Sequence, residues 1–393
     1  MIKDYLKITD DPEEIREIAK KLVKDATINV GGQIRPFYTP LMLSKMNEEI
    51  LRHLPDATAA EAEELRLKFI YDYWVYGCTV DEEFYLRLLE KSDAEKRGYM
   101  VRQIRNVYVK HQNMGAGEDR VAQLENKYRL YQRLKPYYRR DVIQISGPYD
   151  YEVFAEFSKK HGEFVVKPED CSLGVGVHKA AMADYGNDCR AAFDSILGEG
   201  VKIHDKYPSK KTGMVLEELI VQDEALSRLH PYSVNPVRAT AVRDKNGEIV
   251  LYHPRIKVGA KRSFLGSGAQ NSFLMEIDPV TGVISSDGFQ ESGDVAAVHP
   301  DTHVVFKGYR IPRWQECVSF VRELMEKLPG YGYIGWDLAL TPDGWCVVEG
   351  NYSGEFGSQM IRGTGLRAEF EELIGWKYDK DFWWQDNERF LHN

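Results

Sequence analysis

Two carboxylates and an amide stand at a spacing that suits a hard cation. In YGYIGWDLALTPDGWCVVEGN, residues 331 to 351, two mostly apolar runs flank Thr341-Pro342-Asp343-Gly344. Pro is pre-set for the second position of a turn and Gly tolerates a positive φ. The stretch therefore predicts a β-hairpin closed by a type I turn with a glycine bulge. In that register Thr341 faces Trp345. Counting back puts Asp337 opposite Glu349, with Asn351 two residues on and on the same face. Opposed carboxylates in an apolar hairpin repel. Mg²⁺ relieves such a pair, because it takes oxygen ligands from one or two carboxylates together with nucleotide phosphates. A plain acidic strand face is the bland alternative. The run NYSGEFG that follows speaks against it, since it has the small residues of a loop that approaches a ligand.

A second set of charges is cationic. NPVRATAV and IVLYHPRIK flank Asn246-Gly247, a strong signal for a two-residue hairpin turn. Lys245 then pairs with Glu248, Arg238 falls opposite Arg255, and Lys257 shares their face. A three-residue turn would break that alignment. Three cations on one face call for an anion, which a triphosphate or an acyl phosphate would supply. Upstream, the apolar strand FVVKP ends in Lys167 and runs into EDCSLGVGV. Gly174 and Gly176 make a loop whose backbone N–H groups can close on phosphates, and Lys167 can reach the α- and β-phosphates as a point charge. The pattern is neither GxxxxGK[ST] nor a dinucleotide-binding GxGxxG. Residues 259 to 271, GAKRSFLGSGAQN, read as a loop working near the substrate.

The D…DG…E-x-N hairpin resembles the metal-binding end of the ATP-grasp superfamily. Its wording is closest to the sugar-transfer associated ATP-grasp family, and more distantly to α-L-glutamate ligase-like proteins. NPVRATAV is similar to the arginine pattern of that family, and the resemblance covers roughly residues 60 to 370. It implies an α+β ATP-grasp fold, with two α/β lobes holding ATP between antiparallel sheets. It assigns two Mg²⁺ ions to Asp337, Glu349 and Asn351. It makes Met214 to Gln222 the hinge, with adenine against Leu219 and Ile220 and hydrogen-bonded to the backbone of Glu218 and Ile220, and it counts Glu217 among the nucleotide-binding residues. Glu224 is matched to the ribose hydroxyls, with a plain helix-start acid as the alternative. Lys127 is matched to a phosphate-reaching lysine, with a surface lysine as the alternative. The implied chemistry joins a carboxylate to an amine through an acyl phosphate, assigns catalytic roles to Arg238, Arg255 and Lys257, and suggests a sugar-acid context. A kinase of a small hydroxyl compound and a nucleotide sensor without turnover are the other readings. The first lacks an evident base, and the second is at odds with an intact Asp/Glu/Asn set.

The positioning elements follow from pattern. Residues 1 to 110 read as a helical N-terminal domain, with Asp11-Pro12-Glu13-Glu14 as a helix start. Apolar stripes run through Leu41 to Leu54 and Ala59 to Trp74, with a short helix from Asp81 to Glu90. The aromatics of YDYWVYG read as core in preference to a binding surface. Residues 111–213 are assigned to a small nucleotide lobe and 214–376 to a large lobe with the metal and substrate site. Residues 377–393 form an aromatic, acidic tail that packs on the body or serves a homodimer contact. Gln359 and its neighbouring glycines read as substrate-facing.

Composition bounds the rest. The chain has 393 residues, a net charge of −9 and five scattered cysteines without a CxxC pair. These values predict reduced thiols in the cytoplasm, no disulfide frame and no nucleic-acid partner. No apolar run is long enough to span a membrane. The partners expected are small molecules, one carboxylate and one amine.

Overall fold

The computed structural model describes residues 1–172, 174–261, 272–354 and 356–393. They fall into two units, Met1–His111 with Phe356–Asn393, and Gln112–Glu355.

In the first unit, Asp11 accepts from the amides of Glu13 and Glu14 and starts the helix Pro12–Asp25. Thr58 and Glu61 form a reciprocal capping box at the head of Ala59–Val75. A two-stranded ribbon, β1 (Thr27–Val30) and β2 (Gln33–Pro36), interrupts the helices. Tyr71 and Trp74 are fully buried, which settles the YDYWVYG aromatics as core. The tail packs onto them: Trp383 Nε1 donates to the Tyr73 carbonyl at 2.7 Å and Trp384 Nε1 to that of Trp74 at 3.2 Å. Gln359 is buried and its side chain is turned to backbone. Its Oε1 accepts from the Met100 amide at 2.7 Å and from the Leu366 amide at 3.1 Å. The expected substrate role for Gln359 is therefore corrected to a structural one.

The second unit carries two antiparallel sheets. The smaller is formed by β3 (Val142–Ile145), β4 (Glu163–Pro168), β5 (His178–Ala181) and β6 (Met214–Glu218), in the order β3-β6-β4-β5. Two helices that the sequence pattern did not single out, Tyr151–Lys160 and Cys189–Lys206, bring Phe154, Phe157, Phe193 and Ile196 onto Phe164, Val166, Met214 and Leu216. The larger sheet comprises β7 (Val237–Arg243), β8 (Ile249–Leu251), β9 (Arg255–Val258), β10 (Phe273–Glu276), β11 (Gly288–Phe289), β12 (Val295–Ala296), β13 (Tyr333–Thr341) and β14 (Gly344–Asn351). Its order is β12-β11-β10-β9-β7-β13-β14, with β8 on β7. One face, with Val237, Ala239, Leu338 and Val347, shares a core with Trp314 and Leu324 of the helix Trp314–Glu326. The other face carries the charges.

Candidate functional site

Register assembles the charges in one row. Glu276 pairs with Arg255, Arg255 with Arg238, Arg238 with Asp337, and Asp337 with Glu349, across β10, β9, β7, β13 and β14. One step along, Thr240, Gly335 and Asn351 form a parallel row. Lys257 lies two residues beyond Arg255 and so shares its face.

Neither hairpin reaches this register as its turn predicts. At the Asn-Gly hairpin Arg243 pairs with Ile249 and the Asp244 amide donates to the Glu248 carbonyl, so Lys245-Asn246-Gly247 is a three-residue connection with Gly247 at φ +87°. That turn alone would have put Arg255 on the core face with Val237. An extra residue near His253, whose φ is +42°, shifts the strand by one and returns Arg255 to Arg238. At the Pro-Asp-Gly hairpin Thr341 faces Gly344 and not Trp345, a two-residue connection. Leu338 then pairs with Val347, and a bulge next to Asp337 skips Val348 and aligns Asp337 with Glu349. Each bulge turns one charged side chain from the core face to the site face.

The cations do not wait empty for an external anion. Arg238 grips Asp337 in a bidentate pair, Nε to Oδ1 at 2.6 Å and Nη2 to Oδ2 at 3.0 Å. Beside that guanidinium Gly335 and Gly354 pack backbone to backbone, since a Cβ on Gly335 would meet the Gly354 Cα at 3.2 Å and one on Gly354 the Gly335 Cα at 3.3 Å. Loss of hydration pushes Asp337 up, but Arg238 and Lys257 outweigh it and hold the carboxyl below its usual range. Glu349 moves the other way, raised by loss of hydration and then by the charge of Asp337. The Asn351 Nδ2 lies 3.5 Å from Asp337 and 3.4 Å from Glu349, both long for hydrogen bonds. Two adjacent carboxylates, one of them raised by the other, and an amide between them form a donor set that fits an oxygen-seeking divalent cation.

The small sheet supplies the other cations. Lys167 is buried at the end of β4, its Nζ 3.0 Å from Glu217. Glu217 in turn binds Arg140, Nη2 to Oε2 at 2.7 Å. Its expected place at the nucleotide is corrected for the side chain: it is spent on Arg140 and Lys167. Burial would raise Glu217, yet the two cations outweigh it and hold it at about 2. A carboxyl depressed on folding stabilises the protein above its unfolded pKa and loses that contribution as pH falls through the folded value. Wild type is therefore expected to exceed Glu217→Gln by about 3 kcal/mol at pH 7, with the gap closing between about pH 4.5 and pH 2. Urea melts of both proteins across that range check it.

Lys127, the first residue of the helix Lys127–Tyr138, donates from Nζ to the Cys171 carbonyl at 2.5 Å. Burial lowers its pKa, Glu349 opposes that and Lys167 adds to it, so both sheets' charges act on one ammonium. Gly174 and Gly176 sit at φ +72° and +69°. A Cβ on Gly176 would meet Pro168 and Ile203 at 2.8 Å. Within this loop the Val175 and Val177 amides already donate to Ser172 and Gly174. Lys167→Met is expected to weaken ATP binding ~10-fold, about 1.4 kcal/mol, and Lys127→Met less, because burial disfavours the charged form of Lys127. Calorimetric titration compares them; equal, unchanged affinities would remove the loop from the site.

The remaining expected contacts are less specific. The Glu218 amide and carboxylate are both engaged with the Asp141 backbone. Leu219 and Ile220 follow β6 and are half-buried. Glu224 is exposed and pairs with Arg228 at 2.8 Å, as a helix-start acid does. The loop expected near the substrate lies for the most part, residues 262–271, outside the described residues, as do Leu173 of the glycine loop and Glu355 of the NYSGEFG run. Arg139 and Arg140 were missed. Arg139 Nε donates to the Trp345 carbonyl at 2.9 Å and Arg140 Nη1 to that of Val347 at 2.6 Å. Adjacent arginines before a strand carry no motif, and their partners lie about 200 residues away.

Among the described residues no helix is long and apolar enough to cross a membrane. A comparison with curated proteins returns no match. Among solved structures, D-alanyl-alanine synthetase A of Vibrio cholerae is 12% identical with a TM-score of 0.38, over 64% of this chain and 60% of that one. Phosphoribosylamine–glycine ligase of Thermotoga maritima is 15% identical at 0.41, over 66% and 56%. N5-carboxyaminoimidazole synthetase of Staphylococcus aureus is 12% identical at 0.40, over 70% and 60%. The chain thus spans about 60% of the length of these structures. The profile of the sugar-transfer associated ATP-grasp family matches residues 137–373, which takes in both sheets and every charge of the row. The chain belongs to the sugar-transfer associated ATP-grasp family.

Proposed function

We propose that this protein is an ATP- and Mg²⁺-dependent ligase that activates a small carboxylate, such as a sugar acid, as an acyl phosphate and passes it to an amine. Membership of an ATP-grasp family supports ATP-dependent carboxylate–amine ligase activity in general. The observation that carries the finer reading is the row Arg255–Arg238–Asp337–Glu349, with Lys257 on the same face.

In this reading the smaller sheet and the segment that follows β6 hold the nucleotide, and the larger sheet holds the reacting end; the lobe boundary expected at residue 213 moves beyond β6, because Met214–Glu218 pairs with β3 and β4. Lys167 and Lys127 bind phosphate oxygens as fixed charges. Leu219 and Ile220 offer apolar surface to adenine, and Glu224 serves the ribose only by leaving Arg228. Asp337, Glu349 and Asn351 would hold Mg²⁺, which when bound compensates charge on the triphosphate. Arg238, Arg255 and Lys257 orient the substrate carboxylate and balance the charge that gathers as its oxygen meets the γ-phosphorus. The bond from that phosphorus to the β,γ-bridging oxygen breaks, and ADP leaves. The amine then attacks the acyl carbon and phosphate departs.

Small-molecule substrates are proposed as the only partners the reaction needs, in a cytoplasmic setting and with the dimer question open to a sizing column. The test is ADP release from ATP and Mg²⁺ across a panel of sugar acids and amino acids, each with and without an amine. Hydroxylamine is expected to replace the amine and yield a hydroxamate. AMP and pyrophosphate would overturn the acyl-phosphate step, and ADP formed with an alcohol alone would favour a kinase.

A further inference from the structure

β14 is the outer strand of the larger sheet, paired on one side with β13. Such an edge leaves carbonyls that need donors. Arg139 and Arg140 serve two of them, on Trp345 and Val347. Arg140 does more. Its Nε and Nη2 bind the Glu217 Oε2 at 2.9 and 2.7 Å, and its Nη1 also reaches the Tyr138 carbonyl at 3.0 Å. The guanidinium lies 4.7 Å from the Tyr138 ring centroid. Its side chain is 3% exposed and that of Glu217 4%.

The same Glu217 oxygen is 3.0 Å from the Lys167 ammonium. The three groups together carry one net positive charge. A buried Glu217 facing Lys167 alone would cancel it and draw the ammonium away from any other anion. With Arg140 as its counter-ion, Glu217 still orients Lys167 but no longer neutralises it. The bond to the Val347 carbonyl also fixes the strand beside the bulge that delivers Glu349.

We infer that Arg140 is a positioning residue of the nucleotide site: by neutralising Glu217 it leaves the charge of Lys167 uncompensated toward a bound anion, and it ties that lysine's sheet to the strand bearing Glu349. The inference rests on the proposed function in taking Lys167 to meet a nucleotide phosphate.

The test titrates ATP into the full-length chain by calorimetry, with and without Mg²⁺, using wild type, Lys167→Met, Arg140→Met, Arg140→Lys, Glu217→Gln and the double variant Arg140→Met/Glu217→Gln. Circular dichroism verifies folding. Without Mg²⁺, Arg140→Met is expected to bind ATP at least ~10-fold more weakly, because Lys167 turns to its uncompensated neighbour. The double variant is expected to recover to within about threefold of wild type. A merely structural arginine predicts a double variant no better than Arg140→Met, and that result overturns the inference. Arg140→Lys keeps the charge but lacks the fork that reaches β14. It is expected to bind ATP alone within about threefold of wild type and to lose most of the tightening that Mg²⁺ brings. Should Arg140→Met not fold, Arg140→Lys decides, and tightening by Mg²⁺ equal to wild type counts against the inference. If wild type itself binds no ATP, the nucleotide reading falls and takes this inference with it. If wild type binds, Lys167→Met weakens and Arg140→Met does not, this inference alone falls.

Discussion

Glu349→Gln and Asp337→Asn are each expected to reduce Mg²⁺-dependent turnover by ~10³-fold, the scale of removing one preorganised charge partner of a transition state. Their effects on stability should differ in sign. Glu349 is raised by loss of hydration and by Asp337, so its ionised form is disfavoured in the fold. A carboxyl raised on folding costs stability as pH climbs from its unfolded pKa, about 4.3, through its higher folded value. Gln removes that cost, so Glu349→Gln should be as stable as wild type at pH 4 and more stable at pH 8 without Mg²⁺. Asp337 is the bidentate partner of buried Arg238. Removing its charge leaves a buried guanidinium without that partner, at a cost of about 3 kcal/mol. The released Glu349 carboxylate moves toward the same cation and keeps the loss near this low end. Denaturant melts of the two variants at pH 4 and pH 8 check the contrast. Equal destabilisation by both would mean that the row is held by something other than the Arg238–Asp337 pair.

Arg238→Lys is expected to lower kcat ~10²-fold while the KM for ATP stays within a few-fold. Lysine keeps the charge but not the planar fork that takes both oxygens of Asp337. Asp337 would then be free to rotate, and the cation would sit differently beside Gly335 and Gly354. Lys167 and Lys127 would still bind the phosphates, so nucleotide affinity should hold. Steady-state kinetics with the carboxylate found by the ADP screen decide it. A KM rise with unchanged kcat would place Arg238 in uniform substrate binding instead.

How much of this was legible in the chain depends on the distance over which a signal acts. Helix starts at Asp11 and Thr58 are local, since the capping atoms lie within three residues of the groups they bind. The row of charges was found through a register argument whose endpoints hold and whose middles do not. Pro342-Asp343 and Lys245-Asn246-Gly247 each differ by one residue from the turn their sequence suggests. The bulges at Val348 and near His253 restore the alignment. A turn motif reports backbone preference over four residues, whereas the bulges answer the demand that Leu338, Val347 and Val237 face a core. Arg140 and Glu217 were opaque for a different reason. Their pairing spans 77 residues, and a buried ion pair leaves no periodic trace. The expected anion for the cationic face turned out to be partly internal, because Asp337 belongs to the same row as Arg238.

The central claim is that Asp337, Glu349 and Asn351 hold a divalent cation against nucleotide phosphates. Mn²⁺ is a paramagnetic substitute for Mg²⁺ with the same preference for oxygen ligands. Electron paramagnetic resonance of free Mn²⁺, titrated into the protein with and without a non-hydrolysable ATP analogue, reads the site directly. Wild type with the analogue is expected to take up Mn²⁺ that neither protein nor analogue binds as tightly alone, and Glu349→Gln is expected to lose most of that uptake. Unchanged Mn²⁺ uptake by the Glu349→Gln protein in the presence of the analogue would contradict the claim.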